Sequence, residues 1–245
     1  MKTIKIIIAY DGGNYRGWQL QKAEPTIQGV IEEALGKILN QQTRVVGSGR
    51  TDTGVHALNQ VAHFITSSVM DLGILHRGLN SLLPPDVVIK EMTEVPGDFH
   101  ARYSARSRIY RYLIWNNHIR SPFYQRFSWQ VVQQLDMHAM REAARCLLGS
   151  HDFSSFQGTG SVCRSPVREV MRFIIQGRAG RWIITTIEAN SFLRHMVRNI
   201  VGTLIEVGKG SMSAEEFKAI LEARDRSCAG VTAPPHGLFL KEVKY

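Results

Sequence analysis

The chain has few cysteines and no long apolar run, and both absences bear on where it works. Its 245 residues include three cysteines, Cys146, Cys163 and Cys228, which are widely spaced and form no CxxC pair. Such an odd and scattered set fits neither a disulfide framework nor a zinc site and favours a reducing compartment. The short N-terminal isoleucine run is interrupted by lysine, and no apolar stretch approaches the length of a membrane span. We therefore expect a cytoplasmic protein without a membrane segment.

Motifs that mark cofactor or metal chemistry are absent as well. The sequence has no HExxH, no paired-histidine cluster, no Asp and Glu grouping suited to Mg²⁺, no dinucleotide fingerprint and no Gly-Lys-Ser/Thr ending of a P-loop. An Asp-Thr-Gly tripeptide is present, but aspartic proteases need two carboxylates that share a proton, and the chain has no second copy. We expect a reaction that uses neither a cofactor nor a metal ion.

Lysine is missing from residues 101–200, although the whole chain carries a formal charge of +9. This segment has 15 arginines against five acidic residues, a net charge of +10, whereas residues 1–100 have a net charge of −1 and residues 201–245 of zero. Arginine binds phosphate through two parallel hydrogen bonds and stacks on bases, which lysine does poorly. The bias favours a nucleic-acid partner over a basic surface that serves only solubility.

Hydrophobic periodicity in the first part of the chain predicts the element order β-α-β-β-α-β. The expected strands are residues 2–10, 43–49, 59–66 and 86–95, and the expected helices are residues 26–39 and 72–82. Thr26 is the expected N-cap of the first helix, and Pro84 and Pro85 end the second.

The second part of the chain predicts the same order with one added helix. The expected strands are residues 107–116, 167–177, 181–189 and 237–243, and the expected helices are residues 135–148, 192–208 and 213–223. The pattern predicts an α+β fold of two similar split-βαβ-type halves, with mainly antiparallel sheets flanking a central basic cleft. We expect an N-terminal domain of residues 1–104 that carries the aspartate loop described next, and an arginine-rich, RNA-binding domain of residues 105–245.

The strongest local signal is the run GSGRTDTGVHA at residues 47–57. Its three glycines allow backbone angles that other residues avoid and allow another molecule to approach closely. Asp52 stands between two threonines, whose hydroxyls favour a defined turn, and Arg50 places a fixed positive fork beside the negative charge. The run is also compatible with a simple hairpin turn, but it suggests a carboxylate presented to a ligand.

Two further runs are candidates for substrate contacts. Alternation along residues 106–112, RSRIYRY, puts Arg106, Arg108, Tyr110 and Tyr112 on one strand face, where they could stack on bases and pair with phosphates or could be ordinary half-buried strand residues. In residues 191–202, SFLRHMVRNIVG, the predicted helix places Arg194 and Arg198 on a shared face. An arginine there could hold a catalytic carboxylate ionised.

These motifs together resemble the tRNA pseudouridine synthase A family. The run GRTDTGVHA at 49–57, the Tyr110 to Tyr112 strand, the run FLRHMVRNIVG at 192–202 and the closing GLFL at 237–240 all match that family's pattern. The similarity begins at YDGGNY, residues 10–15, and extends to the C-terminus. Four motifs in the right order make the resemblance specific.

The resemblance implies a cofactor-free homodimer that isomerises uridine to pseudouridine in the anticodon stem-loop of tRNA, at about positions 38 to 40, after flipping the base from its stack. It further implies that Asp52 is the catalytic nucleophile and that Arg198 pairs with it. Tyr110 would pack on the target base, Arg50 would help to displace that base, and Leu238 would line the pocket. No role follows for Arg194.

Two other functions remain open at this point. A non-catalytic RNA-binding protein or tRNA chaperone would use the same arginines and give Asp52 no chemical role. An aspartic-type hydrolase would use the Asp-Thr-Gly tripeptide to cleave peptides at acid pH.

Overall fold

The computed structural model describes residues 1–160 and 164–245, so Cys163 lies outside the described residues. The chain divides into two compact units. The first comprises Met1–Arg106 with Leu240–Tyr245, and the second comprises Ser107–Phe239. The last six residues therefore belong to the first unit, whereas the sequence interpretation assigns them to a domain of residues 105–245.

The first unit has the predicted order β-α-β-β-α-β. Its elements are β1 (Lys2–Tyr10), α1 (Ile27–Leu39), β2 (Val46–Gly47), β3 (His56–Thr66), α2 (Leu72–Leu82) and β4 (Val87–Val95). The strands pair antiparallel in the order β4-β1-β3-β2. This is the order of a split-βαβ sheet, in which each helix connects strands that are not neighbours.

The sequence accounts for the elements of this unit through alternation and capping. Ile4, Ile6 and Ile8 are buried on one face of β1, and each such side chain contributes about 1.5–3 kcal/mol by leaving water. The Thr26 side chain accepts a hydrogen bond from the Gly29 amide, so the predicted N-cap is confirmed. Asp71 caps α2 in the same way.

The second unit contains β5 (Ser107–Asn116), β6 (Trp129–Val131), α3 (Met137–Ala144), β7 (Gly149–Asp152), β8 (Val167–Gly177), β9 (Trp182–Ala189), α4 (Met196–Gly208) and α5 (Ala214–Ala223). β5, β9, β8 and β7 pair antiparallel in that order, and β6 adds a short parallel pairing to β5. A last strand, β10 (Leu238–Lys244), begins in this unit and ends in the first. The α+β class and the mainly antiparallel pairing are confirmed.

Several boundaries differ from the prediction. The strand expected at 43–49 is only Val46–Gly47, the next strand begins at His56 instead of 59, and α3 is shorter than residues 135–148. The sequence interpretation missed β6 and β7, which have three and four residues. Strands this short lack enough alternating positions to show a period of two, so only their pairing with longer strands reveals them.

Candidate active site

The Asp52 loop, residues 48–55, connects β2 to β3 in the first unit. Asp52 is half-buried, Thr51 is buried, and Arg50 and Thr53 are exposed. The Val55 amide donates to the Asp52 carbonyl at 3.1 Å, which closes a tight turn. The turn fixes the backbone of the aspartate while the residue keeps partial access to solvent.

Two polar side chains, Tyr10 of β1 and Gln60 of β3, form hydrogen bonds with this loop. The Tyr10 hydroxyl and Thr51 Oγ1 are 2.8 Å apart and share a hydrogen bond. Ser48 Oγ donates to Gln60 Oε1 at 2.7 Å, and Gln60 Nε2 donates to the Gly49 carbonyl at 3.0 Å. Burial raises the pKa of Tyr10 to about 12, although hydrogen bonds with Thr51 and Gln60 oppose the rise. Tyr10 therefore remains a neutral phenol beneath the loop at physiological pH.

The segment of residues 11–18 clamps the loop from the side through two glycines. A Cβ on Gly12 would lie 2.0 Å from the Val55 carbonyl oxygen, and one on Gly17 would lie 2.5 Å from the Thr51 carbonyl oxygen. Gly17 also has a φ of 87°, which side chains rarely tolerate. The Trp18 amide donates to the Thr51 carbonyl at 3.1 Å. Sequence reasoning missed this clamp, although the glycines of DGGNYRG were a signal for close backbone approach.

Buried His56 links the end of the loop to the same segment. Its Nδ1 lies 3.0 Å from the Gly12 amide nitrogen and 3.0 Å from a carboxylate oxygen of Asp11. The amide can only donate, whereas the carboxylate can only accept from a protonated ring nitrogen. Either bond ties the start of β3 to residues 11–12, and so fixes the far end of the Asp52 loop.

Arg50 is exposed, but its guanidinium has a defined support. Its Nε donates to Gln19 Oε1 at 3.0 Å. Among the described residues this is the single hydrogen-bond partner of the side chain. The arginine is thus held by its Nε edge, and its two terminal nitrogens have no hydrogen-bond partner among the described residues.

Tyr110 lies on β5 in the second unit and is buried against Phe192. The two rings meet edge to face, with centroids 5.0 Å apart and planes at 82°. Tyr112, on the same strand face, is fully buried, and its hydroxyl donates to the Pro234 carbonyl at 2.8 Å. Arg106 precedes the strand. The interpretation of this face as a four-residue stacking surface is therefore wrong for the buried Tyr112, whereas for the exposed Arg106 it stays a prediction.

The helix expected at 192–208 begins only at Met196, so the interpretation of Arg194 as a helix residue is wrong. His195 has a φ of 60°, and left-handed backbone does not continue into an α-helix. The Arg194 carbonyl instead accepts from the Gly158 amide at 2.7 Å. Arg194 and Arg198 therefore do not share a helical face. The helical spacing of the apolar residues does not reveal that Arg194 lies outside the helix, because the residue that it contacts, Gly158, is distant in the sequence.

Arg198 lies on the first turns of α4 and is anchored to the segment of residues 231–237. Its Nε donates to the Ala233 carbonyl at 2.7 Å, and the Ala233 amide donates to the Arg198 carbonyl at 3.1 Å. Gly202 permits this contact, because a Cβ there would lie 1.7 Å from the Val231 carbonyl oxygen. Burial lowers the pKa of His236, and the positive charge of Arg198 lowers it further against a hydrogen bond to the Ser128 backbone.

Leu238 is buried and is the first residue of β10. The backbone of the preceding Gly237 packs closely against the Tyr112 ring. A Cβ at this position would lie only 2.6 Å from the tyrosine Cζ. Burial raises the pKa of the Tyr112 phenol, although the charge of Arg198 opposes the rise. One segment, residues 231–238, therefore positions both Arg198 and Leu238.

Asp52 and Arg50 lie in the first unit, and Tyr110, Arg198 and Leu238 lie in the second. The pairing of Arg198 with Asp52 stays a prediction. Across residues 1–160 and 164–245, no three His, Cys, Asp or Glu side chains gather as a metal ion would require. No helix in the same part of the chain is long and apolar enough to cross a membrane.

Comparison with known proteins gives the family. A family model described as tRNA pseudouridine synthase matches residues 6–104 and 143–245. Among solved structures, the archaeal box H/ACA sRNP Nop10-Cbf5 complex contains a similar chain, with 13% identity, a TM-score of 0.38, and coverage of 82% of this chain and 44% of that one. A likeness this low carries no argument about fold or function.

Curated relatives match along the whole length. The protein from Syntrophotalea carbinolica is 45% identical over 245 residues, covering 100% of this chain and 97% of the relative. Those from Acetivibrio thermocellus and Thermoanaerobacter sp. are 45% and 42% identical, with 100% of both chains covered. All three are named tRNA pseudouridine synthase A. Full-length relatives and a family model matched in both units show that the chain belongs to the tRNA pseudouridine synthase family, isomerases that act on tRNA.

Proposed function

We propose that the chain isomerises uridine in the anticodon stem-loop of tRNA, at about positions 38 to 40, with Asp52 as the catalytic nucleophile. The observation that carries the proposal is the construction of the Asp52 loop. Hydrogen bonds and two close glycine contacts hold the backbone on both sides of a half-buried aspartate. Such preorganisation is what a single catalytic carboxylate requires, since the reacting atoms must be held in place before the reaction begins.

The reaction itself needs one carboxylate and no other reagent. The bond between C1′ and N1 of uridine breaks, the base rotates, and a new bond forms between C1′ and C5. The hydrogen on C5 leaves as a proton, and N1 gains one, so substrate and product are isomers. Asp52 can act by attacking the nucleotide or by promoting a glycal and managing its protons. Both routes release the C5 hydrogen to solvent.

A stacked base must leave the helix before the carboxylate can reach it, at a cost of a few kcal/mol. In our proposal Arg50, two residues before Asp52, enters the vacated space with its two terminal nitrogens. Tyr110 offers a replacement ring to the flipped base, worth about 1–3 kcal/mol. Arg198 pairs with Asp52 and keeps it ionised, and Leu238 forms an apolar wall. The 15 arginines of residues 101–200 would bind the phosphate backbone.

We also propose that the protein works as a homodimer in the cytoplasm. The dimer follows from the family resemblance, and sedimentation would give the oligomeric state directly. The reducing compartment is supported by the odd number of cysteines, of which Cys146 and Cys228 are free.

Mapping of modified uridines tests the proposal. Unmodified tRNA transcript is incubated with the protein, and pseudouridine is located by chemical labelling and primer extension. We expect new pseudouridines confined to the anticodon stem-loop. Pseudouridine elsewhere in the tRNA would contradict the proposed position. Bound tRNA with no new pseudouridine would favour the RNA chaperone, which uses the same arginines without chemistry.

A further inference from the structure

The support beneath Arg50 continues into the protein as a chain of side-chain hydrogen bonds. Gln19 Oε1 accepts from Arg50 Nε at 3.0 Å, and Gln19 Nε2 donates to Gln28 Oε1 at 3.0 Å. Gln28 Nε2 then donates to Glu32 Oε1 at 2.7 Å and to the Val45 carbonyl at 3.1 Å. The chain therefore runs from a surface arginine to a carboxylate on α1.

The direction of this chain is fixed at every link. Arg50 Nε can only donate, so Gln19 must present its oxygen to it and its nitrogen to Gln28. Gln28 must then present its oxygen, which also accepts from the Leu20 amide at 3.0 Å. Backbone amides cannot reverse, so neither glutamine can flip without losing bonds at both ends. Hydrogen bonds aligned in one direction strengthen one another.

The inner end of the chain is rigid. Gln28 is only 2% exposed, and its own amide donates to the Trp18 carbonyl at 3.0 Å. Glu32 lies one helical turn further along α1 and also accepts from the Val45 amide at 2.9 Å. Gln28 and Glu32 therefore join α1 to the strand region before the Asp52 loop and have a structural role of their own.

Gln19 differs from these two residues. Among the described residues its side chain has two hydrogen-bond partners, Arg50 and Gln28. It lies on an irregular segment and is half-buried. Its side chain thus connects the anchored Gln28 to the exposed guanidinium.

We infer that Gln19 is a positioning residue, which holds the Arg50 guanidinium by its Nε edge so that both terminal nitrogens are aimed at the tRNA. This inference rests on the proposed function, because it acts through the role proposed for Arg50. A free arginine would lose side-chain entropy when it entered the substrate helix, whereas one already oriented loses less. Gln19 thereby raises the rate of reaction without touching the substrate.

A double-mutant cycle tests the inference. Gln19→Met keeps the length of the side chain and removes both hydrogen bonds, and Arg50→Ala removes the group that is positioned. Single-turnover release of C5 hydrogen from labelled tRNA is measured for both variants and for the double variant. We expect Gln19→Met to slow the reaction about tenfold, as for a lost hydrogen bond to a charged group. In the Arg50→Ala background it should cause no further loss.

Gln41→Met is the matched control. Gln41 also lies in the first unit and also donates one side-chain hydrogen bond, to Thr66 Oγ1 at 2.9 Å. We expect it to lower the melting temperature about as much as Gln19→Met while the rate is unchanged. A direct readout is the hydrogen exchange of the Arg50 Nε–H by NMR, which Gln19→Met should speed by about tenfold and Gln41→Met should leave unchanged.

The possible failures can be told apart. Arg50→Ala at the wild-type rate would contradict the proposed role of Arg50 and the inference with it. A result in which Arg50→Ala releases C5 hydrogen slowly while Gln19→Met releases it at the wild-type rate would overturn the inference alone. So would equal losses from Gln19→Met with and without Arg50, because a residue that acts through the arginine cannot matter in its absence.

Discussion

At the scale of single residues, the small polar groups of the Asp52 loop serve as support. The Thr51 hydroxyl is engaged by Tyr10, and the Ser48 hydroxyl by Gln60. The sequence indicated a turn built by such hydroxyls and singled out Asp52 and Arg50 as its chemical groups. It could not show which distant partners the hydroxyls bind, because Tyr10 and Thr51 are 41 positions apart and meet only when β1 lies beside β3.

Tyr110 provides a prediction at the same scale. Tyr110→Phe keeps the ring and its edge contact with Phe192, whereas Tyr110→Ala removes both. We expect Tyr110→Phe to bind tRNA nearly as well as wild type and Tyr110→Ala to lose about 1–3 kcal/mol of binding free energy. Affinity is measured by filter binding, with melting temperature as the check on folding. Equal weakening by both variants would argue against a stacking role for the ring.

At the scale of elements, the long periodic segments were predictable and the short or tertiary ones were not. β1, α1 and α2 follow from alternation, the helical period and capping residues. The shortness of β2, a strand that the sequence predicts over 43–49, and the start of α4 do not, since pairing with β3 and the left-handed His195 decide them. The clamp of residues 11–18 on the Asp52 loop also depends on tertiary contact, although its glycines were visible.

The clamp makes a specific prediction. Gly12→Ala would force a Cβ to within 2.0 Å of the Val55 carbonyl oxygen. Either the clamp or the Asp52 loop must move, which we expect to cost about 1–3 kcal/mol of stability and to reduce turnover sharply. Gly97→Ala is the control, because a Cβ there meets nothing within 4 Å. Chemical denaturation and C5 hydrogen release measure the two effects. Gly12→Ala with wild-type stability and rate would show that the close contact has no importance for the loop.

At the scale of the whole molecule, the arginine bias is the feature that the sequence displayed most directly. The structure adds how individual arginines are held: Arg50 and Arg198 are each anchored through Nε. Anchoring of this kind needs the guanidinium fork, which lysine lacks. It gives a physical reason for arginine at these two positions that composition alone could not supply.

The charge distribution predicts a steep salt dependence of tRNA binding. Each phosphate contact releases counterions, so the dissociation constant should rise at least about a hundredfold between about 50 and 200 mM salt. Melting temperature over the same range is the control, since a loss of fold would mimic a loss of binding. An affinity that hardly changes with salt would remove phosphate binding from the account.

Buried tyrosines predict a loss of stability at alkaline pH. Burial raises the pKa of Tyr10 from 10.0 to about 12, and burial also raises the pKa values of Tyr15 and Tyr112. The folded state therefore keeps protons that the unfolded chain gives up. The free energy of unfolding keeps its full value below pH 10 and falls as the pH rises toward 12. Tyr10 alone accounts for a fall of about 2–3 kcal/mol.

Denaturation as a function of pH tests this prediction, together with absorbance at 295 nm. Tyr10→Phe should be less stable at neutral pH, because Thr51 loses its partner, but should lose less stability than wild type between pH 10 and 12. If all seven tyrosines of the folded protein ionised with the ordinary tyrosine pKa of about 10, the burial described here would be contradicted.

The central claim is that one aspartate carries out the chemistry. Asp52→Asn keeps the size of the side chain and removes its charge, and Asp98→Asn makes the same change at an exposed position of the same unit. The measurement is the release of C5 hydrogen from labelled uridine in tRNA, with tRNA affinity and melting temperature measured alongside. We expect Asp52→Asn to bind tRNA and to fold like wild type with its release rate below about a hundredth of wild type, and Asp98→Asn to be fully active. A folded Asp52→Asn protein that releases hydrogen faster than that would contradict the account.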